Sequence, residues 1–134
     1  MKLLRLLRYS AAGTVGTAIQ YTTLLCLVRT GVTGPIVASS SGAIAGAFTN
    51  YFLNYHFTFN SQNRHVNAAP KFFLVALAGF IINWAAMTML LRHVGMHYLA
   101  AQILSTGLVF MVTYAINAGW SFREDRAQAH RRRQ

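Results

Sequence analysis

Two stretches of twenty residues carry no charge and lie 63 positions apart: Tyr9 to Val28, bracketed by Arg8 and Arg29, and Phe72 to Leu91, bracketed by Lys71 and Arg92. About 20 apolar residues in a helix cross the roughly 30 Å hydrocarbon layer of a bilayer, so each run is predicted to be a membrane span. The same offset carries Gly16 onto Gly79 and Gln20-Tyr21 onto Asn83-Trp84. It also carries Asn50-Tyr51 onto Thr113-Tyr114, and Asn54-x-x-Phe57-Thr58-Phe59 onto Asn117-x-x-Trp120-Ser121-Phe122, with no gap. The chain therefore contains one unit twice. Each unit has room for a second apolar helix, Pro35 to Tyr55 and Tyr98 to Gly119.

The expected fold is an all-α integral membrane protein with four transmembrane helices at about 9–28, 35–55, 72–91 and 98–119, arranged as two two-helix repeats. Two spans per repeat give both copies the same orientation, with a pseudo-twofold axis along the membrane normal. At 134 residues the length allows one domain, 1–126, with repeats of about 1–63 and 64–126 and a basic tail, 127–134. Only 10% of residues are charged, against about 25% in a soluble domain. Met1 to Arg8 has the basic character of a secretory signal. The apolar run after it is longer than a signal core and is followed by three more, so it is read as a retained first helix. The polar stretch Asn60 to Pro70 is the expected linker, with the third helix opening near Lys71.

The net charge of +10 is unevenly placed. In an alternating four-span arrangement, ten basic residues fall on one side and only Arg29 and Arg92 on the other. That asymmetry places both termini and the middle loop in the cytoplasm. It reports topology, and secondarily attraction to anionic membrane lipids; no nucleic-acid partner is expected.

The acidic residues exclude most chemistry. The chain has two, Glu124 and Asp125, adjacent in the tail. Paired-carboxylate catalysis, a Ser-His-Asp triad and ion-coupled transport all need an acid in the body of the protein. The chain is therefore not expected to be an enzyme, and no cofactor or metal is predicted. Cys26 is alone, and His93 and His97 are separated by a glycine turn.

What remains is uncharged. Gln20, Asn50, Asn54, Asn83, Gln102 and Asn117 lie in the spans, where an unpartnered amide costs several kcal/mol. They either tie helices together or form a polar track (Gln20, Asn50, Asn54, Asn83 and Asn117) along which a hydrophilic group crosses. Small residues on the second helix, with Gly42-x-x-x-Gly46 at their centre, allow close helix approach, within the chain or between copies. Arg8, Lys71, His56, Arg64 and Arg123 would ring the cytoplasmic mouth of the repeat interface, with Arg29 and Arg92 at the outer mouth. Guanidinium groups in particular suit phosphate oxygens.

These residues resemble the GtrA-like family of small four-span membrane proteins. The resemblance rests on Arg8-Tyr9 with Gly13 and Gly16, on Asn50 through Phe59, on Lys71-Phe72, and on Asn117-x-x-Trp120-Ser121-Phe122, covering roughly 5–123. The family often has a basic residue after the repeated Asn; here Tyr55 and Ala118 stand there. The resemblance implies a bacterial inner-membrane protein of cell-surface polysaccharide synthesis. The expected function is a flippase for a polyprenyl-phosphate-linked monosaccharide. The alternative is a non-transporting scaffold or anchor for a glycosyltransferase partner. Four short spans are few to enclose a sugar-sized path, so a homo-oligomer, with a dimer favoured, is also expected.

Overall fold

The computed structural model describes residues 2–57 and 65–131, and among the described residues there is no strand. Helix α1 runs Lys2–Arg29, α2 Pro35–Phe57, α3 His65–Met89 and α4 Tyr98–Arg131. A π-helical turn, Leu90–Val94, prolongs α3. Three segments, Ser10–Arg29, Phe72–Val94 and Tyr98–Ile116, are long and apolar enough to cross a membrane. They agree with three of the predicted spans to within a few residues. The fourth helix, α2, has 23 residues and is about 34 Å long at 1.5 Å per residue. Its length suits a bilayer; the run of serines and glycine from Ser39 to Gly42 lowers its hydropathy.

The helices are longer than predicted at the end of the bundle that carries the chain termini. α1 already begins at Lys2 and α3 at His65, so residues 65–70, expected in the linker, are helical. Pro70 lies inside α3; as its sixth residue, it removes a single N–H near the helix start, where the ladder has just begun. α4 continues through Arg131 instead of stopping near Gly119, and most of the expected tail is helix. Its last turns, residues 123–131, are mostly Arg, Glu, Ala and Gln, all good helix formers.

Two antiparallel hairpins result, α1 with α2 and α3 with α4. The first turn follows from local chemistry. Gly31 takes φ 69°, Gly31 N–H bonds the Val28 carbonyl at 3.2 Å, and Val32 N–H bonds the Leu27 carbonyl at 3.2 Å. This is the left-handed glycine stop that satisfies the last carbonyls of a helix. The second hairpin uses Gly95, φ 71°, for the same purpose. It falls 64 residues after Gly31 instead of 63, and the wider π turn absorbs the extra residue.

Burial repeats at the 63-residue offset. Gly16 and Gly79, Leu24 and Met87, Ala38 and Ala101, Ser39 and Gln102, and Gly42 and Ser105 are buried in both copies. α1 and α2 form the most extensive contact, followed by α3 with α4 and α2 with α3. Near the terminal end, the Tyr51 ring lies 5.3 Å from Phe72 and 5.6 Å from Phe73, joining α2 to α3.

Candidate functional site

Hydroxyl groups in an apolar helix normally satisfy themselves by bonding the carbonyl one turn back. Thr17, Thr22, Thr49 and Thr113 do so here at 3.0, 2.8, 2.9 and 2.7 Å. Two buried serines behave differently. Ser39 turns its hydroxyl to another helix, and Ser105, fully buried, has no hydrogen-bond partner. These exceptions mark the polar centre of the molecule.

Ser39 on α2 donates to Gln102 Oε1 on α4. Gln102 Nε2 donates to Asn83 Oδ1 on α3 at 3.0 Å, and Asn83 Nδ2 donates back to Ser39 Oγ at 2.8 Å. The three side chains form a closed ring in which every bond runs the same way round. Such circuits polarise their members and strengthen one another in a low-dielectric interior. Asn83 is 3% exposed, and Ser39 and Gln102 are not exposed at all. Ser39 and Gln102 are 63 residues apart, the offset at which the sequence resembles itself.

A branch brings in the remaining helix. Gln102 Nε2 also reaches Thr106 Oγ1 at 3.3 Å, and Thr106 donates its own proton to the Gln102 carbonyl at 2.8 Å. The contact at 2.9 Å between Tyr21 and Thr106 must then have the tyrosine as donor, because the threonine proton is already used. Tyr21 on α1 is thereby tied to the same network. Ser39 and Gln102 each lie four residues inside their helices, about 6 Å from the start at the helical rise. The ring therefore sits in the half of the bundle nearer the hairpin turns.

The predicted site residues distribute as follows. Asn83 is in the ring. Gln20, its equivalent in the first repeat, is half-buried, with its backbone against Gly42 and no side-chain hydrogen bond among the described residues. Asn50 is half-buried, its Cβ close to Gly16. Arg29 ends α1, and Arg92 lies in the π turn; both are exposed at the hairpin end. Arg8 is exposed at the opposite end of α1, and His56 is exposed near the end of α2, its ring 5.2 Å from Tyr55. The side chains of Lys71, Asn54, Asn117 and Arg123 lie outside the described residues, as does all of Arg64.

Ser39, Thr106 and Tyr21 were absent from the predicted track, and Gln102 stood only in the amide inventory. The repeat held a usable signal. Ser39 and Gln102 are both polar at one offset-related position, and such a pair meets if the copies face each other across an axis.

A chain whose described elements are all helices, with three segments long and apolar enough to cross a membrane and a buried uncharged network, is a multi-pass membrane protein. The chain belongs to the family described as GtrA/DPMS, transmembrane domain, whose pattern matches residues 8–122. A dolichol-phosphate mannosyltransferase of Pyrococcus furiosus is 29% identical over 115 residues, covering 84% of this chain. The match takes in 32% of that relative, so the chain spans about a third of its length. No solved structure matches this chain.

Proposed function

We propose that this protein moves a polyprenyl-phosphate-linked monosaccharide across the bilayer between its two hairpins, with the isoprenoid tail left in lipid. The observation that carries this reading is the buried, uncharged ring of Ser39, Asn83 and Gln102, which joins helices of both hairpins. Membership of a family described together with a dolichol-phosphate sugar enzyme supports the choice of cargo. In this reading Arg8, Lys71, His56, Arg64 and Arg123 capture the phosphate at one mouth, and Arg29 and Arg92 receive it at the other. With no carboxylate in the spans to carry a proton, movement runs downhill, drawn by consumption of the sugar on the receiving side. The working form is a homo-oligomer, a dimer first, in a bacterial inner membrane with both termini cytoplasmic.

The test is translocation of a sugar-lipid in vesicles reconstituted with the purified protein. Charge reversal at Lys71 or at Arg92 should slow it by at least tenfold in correctly inserted protein, since each removes one charge-assisted phosphate contact. Wild-type rates in both variants would remove the capture step.

A second reading has its own support. The matched segment is under a third of a mannosyltransferase, and a module of that kind could anchor such an enzyme without transporting anything. Translocation by the purified protein alone counts against anchoring; co-purification with a glycosyltransferase and no transport counts for it.

A further inference from the structure

The translocation reading leaves open which part of the headgroup meets the polar ring. We infer that Ser39, Asn83, Gln102 and the unpartnered Ser105 form the sugar subsite, and that it accepts a neutral polyol and refuses both phosphate and charged sugars. This rests on the translocation reading and adds to it the chemistry of recognition.

Each member of the ring is both donor and acceptor. A sugar hydroxyl is the same. When the ring opens, every bond between its members can be exchanged for one to a hydroxyl without stranding a buried polar group. Phosphate cannot replace them, because an ionised phosphate oxygen only accepts and would leave the amide oxygens and serine lone pairs unanswered. A sugar carboxylate fails for the same reason. No charged residue lies between Phe72 and Leu91 around Asn83, or between Tyr98 and Phe122 around Gln102, to neutralise it. The cations, Arg29 and Arg92, stand at the helix ends, and Asn83 lies nine residues before Arg92, about 13 Å at the helical rise. The spacing separates a phosphate station from a sugar station.

Ser105 supplies the second observation. Its hydroxyl is fully buried and has no hydrogen-bond partner, whereas Thr106 and Thr113 on the same helix bond back to the carbonyl one turn before. It lies three residues after Gln102, on the same face of α4. A buried hydroxyl without a partner, one turn along α4 from Gln102, is an acceptor and donor held for a ligand.

The experiment measures binding to the full-length protein in detergent by native mass spectrometry. The probes are polyprenyl-phosphate-linked glucose, polyprenyl-phosphate-linked glucuronic acid and polyprenyl phosphate alone. Wild type should hold the glucose lipid more tightly than the other two. Ser105→Ala should weaken the glucose lipid by about tenfold, the value of one good hydrogen bond, and leave polyprenyl phosphate unchanged. It should melt no lower than wild type, because the hydroxyl removed has no partner to lose; Ser39→Ala serves as an independent second variant. If wild type prefers the glucose lipid and both variants keep that preference, the subsite is wrong and translocation stands. If wild type binds glucose lipid and polyprenyl phosphate equally, the subsite is again overturned. If it binds none of the three, both the subsite and the translocation reading fall.

Discussion

In the first hairpin α1 and α2 meet backbone to backbone. A methyl carbon added at Gly46 would lie 2.5 Å from the Gly16 carbonyl oxygen, and one at Gly42 would lie 2.5 Å from the Gln20 carbonyl oxygen. In the second hairpin the equivalent residues of α4 are Val109 and Ser105, and a carbon added at Gly79 meets the Val109 side chain at 3.3 Å. The two copies share one pattern, yet one is closed by glycine contact and the other is held apart by side chains. Without a hydrophobic force between helices in lipid, close backbone approach is a main source of helix association. The first hairpin is therefore the more closely packed half. The second has the room to hold Asn83 in the ring, whereas Gln20 is left outside it. The second hairpin supplies two of the three ring members, Asn83 and Gln102, and the first supplies Ser39.

The largest test of this contrast transplants one copy into the other. Gly46→Val places the residue of position 109 in the first hairpin, and overpacking against backbone should cost about 3 kcal/mol, the upper end for inserted groups. Unfolding in mixed micelles by SDS titration reads it, and a loss below about 1 kcal/mol would remove the distinction between a closely packed and a looser hairpin. Next, Asn83→Leu leaves Ser39 and Gln102 each short of a partner and should cost roughly 1–2 kcal/mol, as interhelical hydrogen bonds in membranes do. The equivalent change Gln20→Leu should cost under about 0.5 kcal/mol, since no side-chain bond is lost. Equal losses at the two positions would mean that the ring does not differentiate the copies.

Smaller effects sharpen the picture. Ser105→Ala should stabilise the protein by about 1 kcal/mol, because an unsatisfied buried hydroxyl is a standing cost. A lower melting temperature would show that Ser105 has a partner in the membrane. Tyr21→Phe should cost about 0.6 kcal/mol, the average for one interhelical bond, and Thr106 keeps its bond to the Gln102 carbonyl. A larger loss would make α1 a principal member of the network.

Much of the fold was legible in the chain. The charge-free runs of Tyr9 to Val28 and Phe72 to Leu91 located two spans because hydrocarbon tolerates no charge, and Gly42 with Gly46 announced a close contact because only glycine permits it. The helix ends were less legible at the terminal end of the bundle. Polar residues such as His65 and Arg131 are compatible with helix or loop, and periodicity ends where the apolar face does. The polar centre was harder still. Six amides in the spans looked alike in sequence, and symmetry paired Asn83 with Gln20, yet only one of the two entered the ring.

Composition by itself determined that this protein is helical and lies in a membrane, because burial in lipid constrains each residue type locally. Which amide meets which hydroxyl was decided only in three dimensions. Hydrogen bonding between helices depends on rotation and separation of a few ångströms, and those are set by the difference between a glycine and a valine on the neighbouring helix.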